Sequence, residues 1–163
     1  MRKIVLISLF LVIGKLLLAQ SLPADWSFEI LENSDKQFVL SAKLKINGDW
    51  YVYAENMPDG GPLPMLIHFD EQTQEISGEK LKSATQAKVL YDDIFEMNVN
   101  IYEDTAIFVR KFEPENKKFE SLLYVEVQAC NKKDGQCVLI NDEFLIKFEN
   151  QNNLWQFEYV KSK

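Results

Sequence analysis

The sequence is poor in the residues that build metal and nucleotide sites. It has one histidine, His68, and two cysteines in 163 residues. A structural zinc site takes four Cys or His ligands, and no Cys/His cluster surrounds His68. Glycine-rich phosphate loops and calcium-loop spacings are also missing. We therefore expect no metal and no other cofactor, and a structural or surface role for His68.

Signals for hydrolytic chemistry are equally scarce. A Ser-His-Asp triad is possible by composition, but no serine lies in a nucleophile-elbow motif. The 25 acidic residues could supply a carboxylate pair for glycoside hydrolysis. They are so numerous and so scattered that the sequence singles out no pair, and we favour neither chemistry.

The chain has little basic charge. Its formal net charge is −7, and it becomes more negative without the three basic residues near the N-terminus, Arg2, Lys3 and Lys15. Nucleic acids and anionic membranes are bound by basic surfaces. We therefore expect no nucleic-acid partner, and we interpret the scattered acidic residues as a solubility feature.

One long apolar run is present, at the N-terminus, and it predicts a signal peptide. Arg2 and Lys3 precede an almost wholly apolar stretch from Ile4 to Ile13, and cleavage is expected after Ala19 or Gln20. The alternative is a retained membrane anchor. The span is short for that purpose and is interrupted by glycine and lysine, so we expect no stable membrane insertion.

The rest of the chain lacks a sustained 3.6-residue apolar period, which argues against amphipathic helices. Short alternating segments with turns between them are typical of an all-β sandwich. Without repeats or linkers, residues 21–163 are predicted to form one domain after a signal peptide at residues 1–20. Strands are predicted at Trp26 to Leu31, Gln37 to Ile46, Trp50 to Tyr53, Met65 to Phe69, Met97 to Tyr102, Thr105 to Phe112, on both sides of the cysteines, and at Leu154 to Val160; Glu71 to Lys88 is predicted to be mostly loop.

The two cysteines lie in a predicted β-hairpin. Alternating residues precede Cys130, an apolar run follows Cys137, and Asp134-Gly135 between them is a turn signal. Facing strand positions hold Cβ atoms about 4.5 to 5.5 Å apart, and a disulfide needs about 3.5 to 4.5 Å. A bridge across the hairpin therefore needs only modest adjustment.

The purpose of such a bridge stays open at this point. Closing a loop of roughly eight residues stabilises a fold by only about 2.5 kcal/mol, and a staple between distant strands would contribute more. A bridge at a hairpin tip does place both sulfurs within reach of another protein. Lys132 and Lys133 would favour a thiolate, whereas Asp134 would oppose it. Spacing alone therefore supports a structural staple and a redox site equally.

Three blocks of sequence, in this order, point to a family. They are Gly48 to Tyr53, Tyr91 to Phe95, and Cys130 to Cys137. With the signal peptide, they make most of the mature chain resemble the periplasmic N-terminal domain of the thiol:disulfide interchange protein DsbD. The resemblance implies an immunoglobulin-like β-sandwich that passes reducing equivalents between periplasmic proteins by thiol–disulfide exchange.

The resemblance also implies roles for individual residues. Cys137 would form the mixed disulfide with partners, and Cys130 would resolve it. Asp93 and Phe95 would lie on a loop that caps the cysteines, although Phe95 could instead be a core residue. A further pair would line the site, with ordinary strand packing as the alternative; these are Tyr51 and Tyr53.

The partners that the resemblance implies are thioredoxin-like periplasmic redox proteins. The chain has no Cys-x-x-Cys motif and no membrane segment after the domain. We therefore expect a separate membrane protein as the electron donor, and a protein-disulfide reductase-like activity if the pair is redox-active. The alternative is a non-catalytic, immunoglobulin-like binding module that presents loops such as Asp59 to Pro64 and has a purely structural disulfide.

Overall fold

A computed structural model of the chain describes residues 22–70 and 80–163. These residues form eleven β-strands and no helix. The strands are β1 (Ala24–Asn33), β2 (Phe38–Ile46), β3 (Trp50–Tyr53), β4 (Leu66–Phe69), β5 (Lys82–Ser83), β6 (Lys88–Asp92), β7 (Met97–Tyr102), β8 (Thr105–Phe112), β9 (Lys118–Asn131), β10 (Cys137–Gln151) and β11 (Leu154–Lys161).

The strands pair into two sheets. The smaller sheet has the order β1-β2-β8-β5. The larger sheet has the order β11-β10-β9-β3-β7-β6, and β4 pairs with β9 as well. Strand β9 is long enough to pair with β10 along one edge while β3 and β4 share its other edge. This arrangement makes β9 the centre of the larger sheet.

The main hydrophobic core lies between the two sheets. Alternation along β2 buries Phe38, Leu40 and Leu44 completely, and alternation along β9 buries Leu123 and Val125 in the same core. Since successive strand residues point to opposite faces, every second residue of β2 and of β9 enters this core along most of each strand. The period-2 pattern in the sequence therefore reports directly on the packing of the two sheets.

The all-β sandwich predicted from the sequence is confirmed, and the predicted strands match observed ones closely, but β6 was not predicted. Gly48, in the tight turn predicted before Trp50, has a φ of 58°, a conformation that glycine adopts without strain. Residues 71–79 of the predicted loop and the predicted signal peptide at 1–20 lie outside the described residues. Within the described residues, no helix is long and apolar enough to cross a membrane.

Because Phe38 packs against aromatic rings of both sheets, we expect removal of its ring to destabilise the protein strongly. The centroid of its ring lies 4.9 Å from that of Phe112 in its own sheet. In the opposite sheet, the ring centroids of Phe148 and Trp155 lie 5.1 Å and 5.2 Å away. We expect Phe38→Ala to lower the free energy of unfolding by about 3–5 kcal/mol, measured by urea denaturation of the oxidised protein. The exposed Val89→Ala should change it by less than about 0.5 kcal/mol; equal effects would contradict the assigned core.

Candidate functional site

The two cysteines face each other across the β9–β10 hairpin. Cys130 and Cys137 are register partners, their Cα atoms are 4.1 Å apart, and their sulfurs form a disulfide. The turn between them is held by Gly135, whose φ is 70° and whose N–H donates to the carbonyl of Asn131. The hairpin and the turn at Asp134-Gly135 are confirmed, and the local chain alone brings the sulfurs together.

Cys130 lies on the face of the larger sheet that points away from the main core. Its neighbour Ala129 enters that core, so alternation turns Cys130 outward. There it belongs to a second hydrophobic cluster, which we call the outer cluster. It consists of Tyr51, Tyr53, Val99, Ile101 and Cys130, with Met57, Leu90 and Met97 packed against it.

The two sulfur-bearing residues differ in their exposure to solvent. Cys130 is 1% exposed, whereas Cys137 is exposed at the start of β10. An attacking thiolate must approach the disulfide sulfur in line with the S–S bond. Cys137 is therefore the sulfur-bearing residue that another protein can reach.

The hydroxyl of Tyr53 is the polar centre of the outer cluster. It lies 3.7 Å from Cys130 Sγ and 3.5 Å from the hydroxyl of Tyr51, and it donates a 2.6 Å hydrogen bond to Asp92 Oδ2. Burial raises the pKa of Tyr53 well above its usual value, and the hydrogen bond to Asp92 raises it further. Tyr53 is therefore a neutral phenol throughout the physiological pH range.

Asp92 ties this phenol to the loop between β6 and β7, residues 93–96, which we call the cap loop. Its second oxygen, Oδ1, accepts hydrogen bonds from the backbone N–H groups of Ile94 at 2.9 Å and Phe95 at 3.2 Å. The ring of Phe95 meets the ring of Tyr53 edge-on, with centroids 6.5 Å apart. One buried carboxylate therefore connects the cap loop with the surroundings of Cys130.

The structure brings five of the six residues singled out from the sequence into one neighbourhood. Tyr51, Tyr53 and Cys130 belong to the outer cluster, Cys137 is bonded to it, and Phe95 contacts Tyr53. The remaining residue is Asp93, whose side chain is exposed.

Asp92 was missed by the sequence reasoning, although it is buried and bonded to the site. The sequence pattern that could have identified Asp92 is the alternation of side chains along a strand. Leu90 and Asp92 are two residues apart on β6, so they share a face, and Leu90 packs against the outer cluster.

The two lysines of the hairpin turn are each paired with an acid. Lys132 forms an ion pair with Glu103, and Lys133 Nζ lies 2.7 Å from Asp49 Oδ2. The hydrogen bond from Lys132, together with one from Lys88, lowers the pKa of Glu103. These carboxylates offset much of the positive charge that the sequence placed beside the cysteines.

His68 has the surface position that was predicted for it. His68 is exposed on β4, where its ring stacks on Tyr124 at 5.4 Å. Across residues 22–70 and 80–163, no three His, Cys, Asp or Glu side chains are grouped so that they could hold a metal ion.

Because the folded protein keeps Tyr53 protonated, we expect it to lose stability at alkaline pH. Its folded-state pKa lies above the unfolded value of about 10, so the folded protein keeps a proton that the unfolded chain releases. Burial acts likewise on Tyr102 and raises its pKa to about 12. The stabilisation is present below pH ~10 and declines as the pH rises above it.

Tyr53→Phe and Tyr102→Phe should each make this decline less steep, by up to about 1.4 kcal/mol per pH unit. Urea unfolding of the oxidised protein between pH 9 and 11 measures the slope. A slope that neither substitution changes would contradict the assignment.

Comparisons with known proteins agree with this architecture. The family model described as "Thiol:disulfide interchange protein DsbD, N-terminal" matches residues 19–148. No curated protein matches the sequence. Among solved structures, the fold is similar to the reduced DsbD N-terminal domain of Neisseria meningitidis, with a TM-score of 0.55 and 12% identity, covering 92% of this chain and 98% of that one.

That domain is an immunoglobulin-like β-sandwich, so the predicted fold class is confirmed. DsbD N-terminal domains are periplasmic, and their chemistry is thiol–disulfide exchange. The matched segment includes both cysteines and every strand from β1 to β9. The chain therefore belongs to the family of N-terminal domains of the thiol:disulfide interchange protein DsbD.

Proposed function

We propose that this chain passes reducing equivalents between periplasmic redox proteins by thiol–disulfide exchange at Cys130 and Cys137. The observation that carries the proposal is the asymmetric disulfide, with Cys137 exposed and Cys130 buried. In a member of this family, such a pair supplies one sulfur for contact with a partner and one for resolution. A purely structural disulfide in a non-catalytic binding module is not favoured.

The exchange takes two displacements, and each conserves electrons. In the reduced protein, the Cys137 thiolate attacks a partner disulfide, forms a mixed disulfide and releases one partner thiolate. The Cys130 thiol then gives its proton to the partner thiolate released in the first step and attacks Cys137 Sγ, which restores the Cys130–Cys137 bond and releases the second partner thiolate. Two electrons thereby pass to the partner. The same two displacements in reverse, with a reduced donor protein, reduce the Cys130–Cys137 disulfide again.

Tyr53 and Asp92 are suited to position the resolving cysteine. The single proton of the Tyr53 phenol is donated to Asp92, so the phenol oxygen is free to accept a hydrogen bond from a reduced Cys130 thiol 3.7 Å away. This contact would hold the Cys130 sulfur beside Cys137 after the disulfide opens. Tyr51 lies next to it and helps to fill the cluster.

We assign the cap loop a protective role. Phe95 and the exposed Ile94 extend from the turn that Asp92 stabilises, and a loop held by a few hydrogen bonds can move aside when a partner docks. Asp93 lies on the same loop at the surface, where it is placed to meet a partner rather than the sulfurs.

The partners follow from the chemistry and from the family. The exchange needs proteins with reactive dithiols, for which thioredoxin-like periplasmic proteins are suited, and a separate membrane protein would supply the electrons. Residues 1–20 would act as the signal peptide that exports the domain, residues 21–163, to the periplasm.

Trapping tests the roles of the two cysteines. We expect Cys130→Ser, which leaves the exposed Cys137 without its resolving partner, to accumulate mixed disulfides with thioredoxin-like proteins in periplasmic extract. The matched control, Cys137→Ser, should trap at least about tenfold less, because Cys130 is buried. Non-reducing gels and mass spectrometry measure both. If neither variant traps a protein and the disulfide has a potential below about −300 mV, the exchange function is wrong.

A pair of neighbouring substitutions tests the cap. Asp92→Ala removes two hydrogen bonds that hold the cap loop and the acceptor for Tyr53, so the cap should open more often. In a Cys137→Ser background, where the exposed cysteine cannot react, we expect alkylation of Cys130 by iodoacetamide to accelerate by about fivefold or more, which corresponds to roughly one lost hydrogen bond. Asp93→Ala should change the rate by less than about twofold. Equal rates for both variants would overturn the role of Asp92.

A further inference from the structure

The strand that begins at Cys137 has an unpaired edge. On one side, β10 pairs with β9 from Cys137 onward. On the other side, pairing with β11 begins only at Phe144, and Glu143 bonds to Ser162 and Lys163. Among the residues that the structure describes, no backbone group pairs with this side of β10 between Cys137 and Asp142.

The register shows which groups point toward that edge. Asn131 N–H donates to the carbonyl of Gln136, so the next pair, Cys130 and Cys137, is of the non-hydrogen-bonded type. Its short Cα separation of 4.1 Å agrees with this. By alternation, the N–H and C=O groups of Cys137, Leu139 and Asn141 point away from β9, toward the open edge.

Among the described residues, the first part of this edge, Val138 to Ile140, carries no lysine, proline or bulge, and the charged pair Asp142–Lys161 lies only at its far end. Natural edge strands are commonly blocked by lysine, proline or a bulge. Here the residues after Cys137 are Val138, Leu139 and Ile140, which favour the extended conformation, and the register with β9 is regular throughout. Leu139 is 53% exposed beside the disulfide.

A groove runs along the same edge. It has a volume of about 920 Å³ and lies between the start of β1 and the free part of β10. Its lining combines polar and charged residues, such as Asp25, Asp142 and Lys161, with an apolar part next to β10 that consists of Trp26, Trp50, Val138 and Ile140. Side chains that alternate along an added strand would therefore find apolar surface on the side facing the groove.

From these observations we propose that the cysteine pair also exchanges with a second kind of partner, whose reactive cysteine lies in an extended segment and not at a helix N-terminus as in thioredoxin-like proteins, and that this segment docks by adding to the free edge of β10. The proposal rests on the exchange function proposed above. Backbone hydrogen bonds to Cys137, Leu139 and Asn141 hold the segment, and they place its cysteine on the outward face beside Cys137. This is β-strand addition, in which the backbone supplies affinity and alternate side chains supply specificity.

The groove also defines the partner's chemistry. In a strand whose cysteine faces outward with Cys137, the residues immediately before and after that cysteine point to the opposite face. They meet the groove, so apolar side chains are favoured there. The preferred partner segment is therefore an extended cysteine-containing stretch with an apolar residue on each side of the cysteine.

One experiment compares substitutions at a single position. Leu139→Pro removes an N–H that points to the free edge and no hydrogen bond of the hairpin, whereas Leu139→Ala keeps the N–H and removes the side chain. The probes are a Thr-Val-Cys-Val-Thr peptide linked through its sulfur to thionitrobenzoate, and glutathione linked in the same way. Release of thionitrobenzoate by the reduced protein gives the two rates.

We expect Leu139→Pro to lower the ratio of the peptide rate to the glutathione rate by about fivefold or more, the value of roughly one hydrogen bond. The change for Leu139→Ala should be less than about twofold. Replacing both valines of the peptide by serine should lower the ratio for the unsubstituted protein. An unchanged ratio for Leu139→Pro would overturn strand addition and leave the exchange function intact; a reduced protein that reacts with neither probe would instead contradict the exchange function.

Amide hydrogen exchange provides a second test that does not depend on the proline variant folding. In free Cys130→Ser protein, the amides of Val138 and Ile140 should be protected by β9, and those of Leu139 and Asn141 should exchange freely. Trapping the peptide on Cys137 should protect Leu139 and Asn141. If these amides remain unprotected in the trapped complex, or are already protected in free protein in a concentration-dependent way that indicates a second copy on this edge, the proposal is wrong.

Discussion

The alternation of side chains along β9 is the constraint on which the rest of the site depends. One residue, Ala129, completes the core between the sheets, and the next, Cys130, faces the other way. A cysteine in the main core would be inaccessible to a partner protein, and one on a bare sheet face would be accessible to small-molecule oxidants. The outer cluster lies between these two cases, because it buries Cys130 on the outer face of a sandwich that the main core already stabilises.

Stability and reactivity are thereby assigned to different parts of the molecule. The aromatic core around Phe38 holds the two sheets together without any contribution from the cysteines. The outer cluster is small, and Phe95 of the four-residue cap loop packs on its Tyr53. In the proposed role of the cap loop, its motion would expose Cys130 while the sandwich stays folded, since local opening costs far less than global unfolding.

Local sequence signals were sufficient for the fold class and for the cysteine pair. The period of two along Phe38 to Ile46, the Asn47-Gly48 turn and the Asp134-Gly135 turn each depend on residues that are close in the chain. The identity of the cap carboxylate was harder to infer. Asp92 and Asp93 are chemically identical, and only the sheet face to which each points distinguishes the buried acid from the exposed one.

The sequence by itself determined that the chain is a β-sandwich with two cysteines opposite each other at a hairpin tip, because strand period and turn chemistry are local properties. The tertiary structure decided which sulfur is exposed, which acid holds Tyr53, and that Lys132 is paired with Glu103. It also decided that β11 pairs with β10 only from Phe144 onward, which leaves the edge beside Cys137 open. These features depend on the order of the strands in the sheet, which brings together residues that are far apart in the chain.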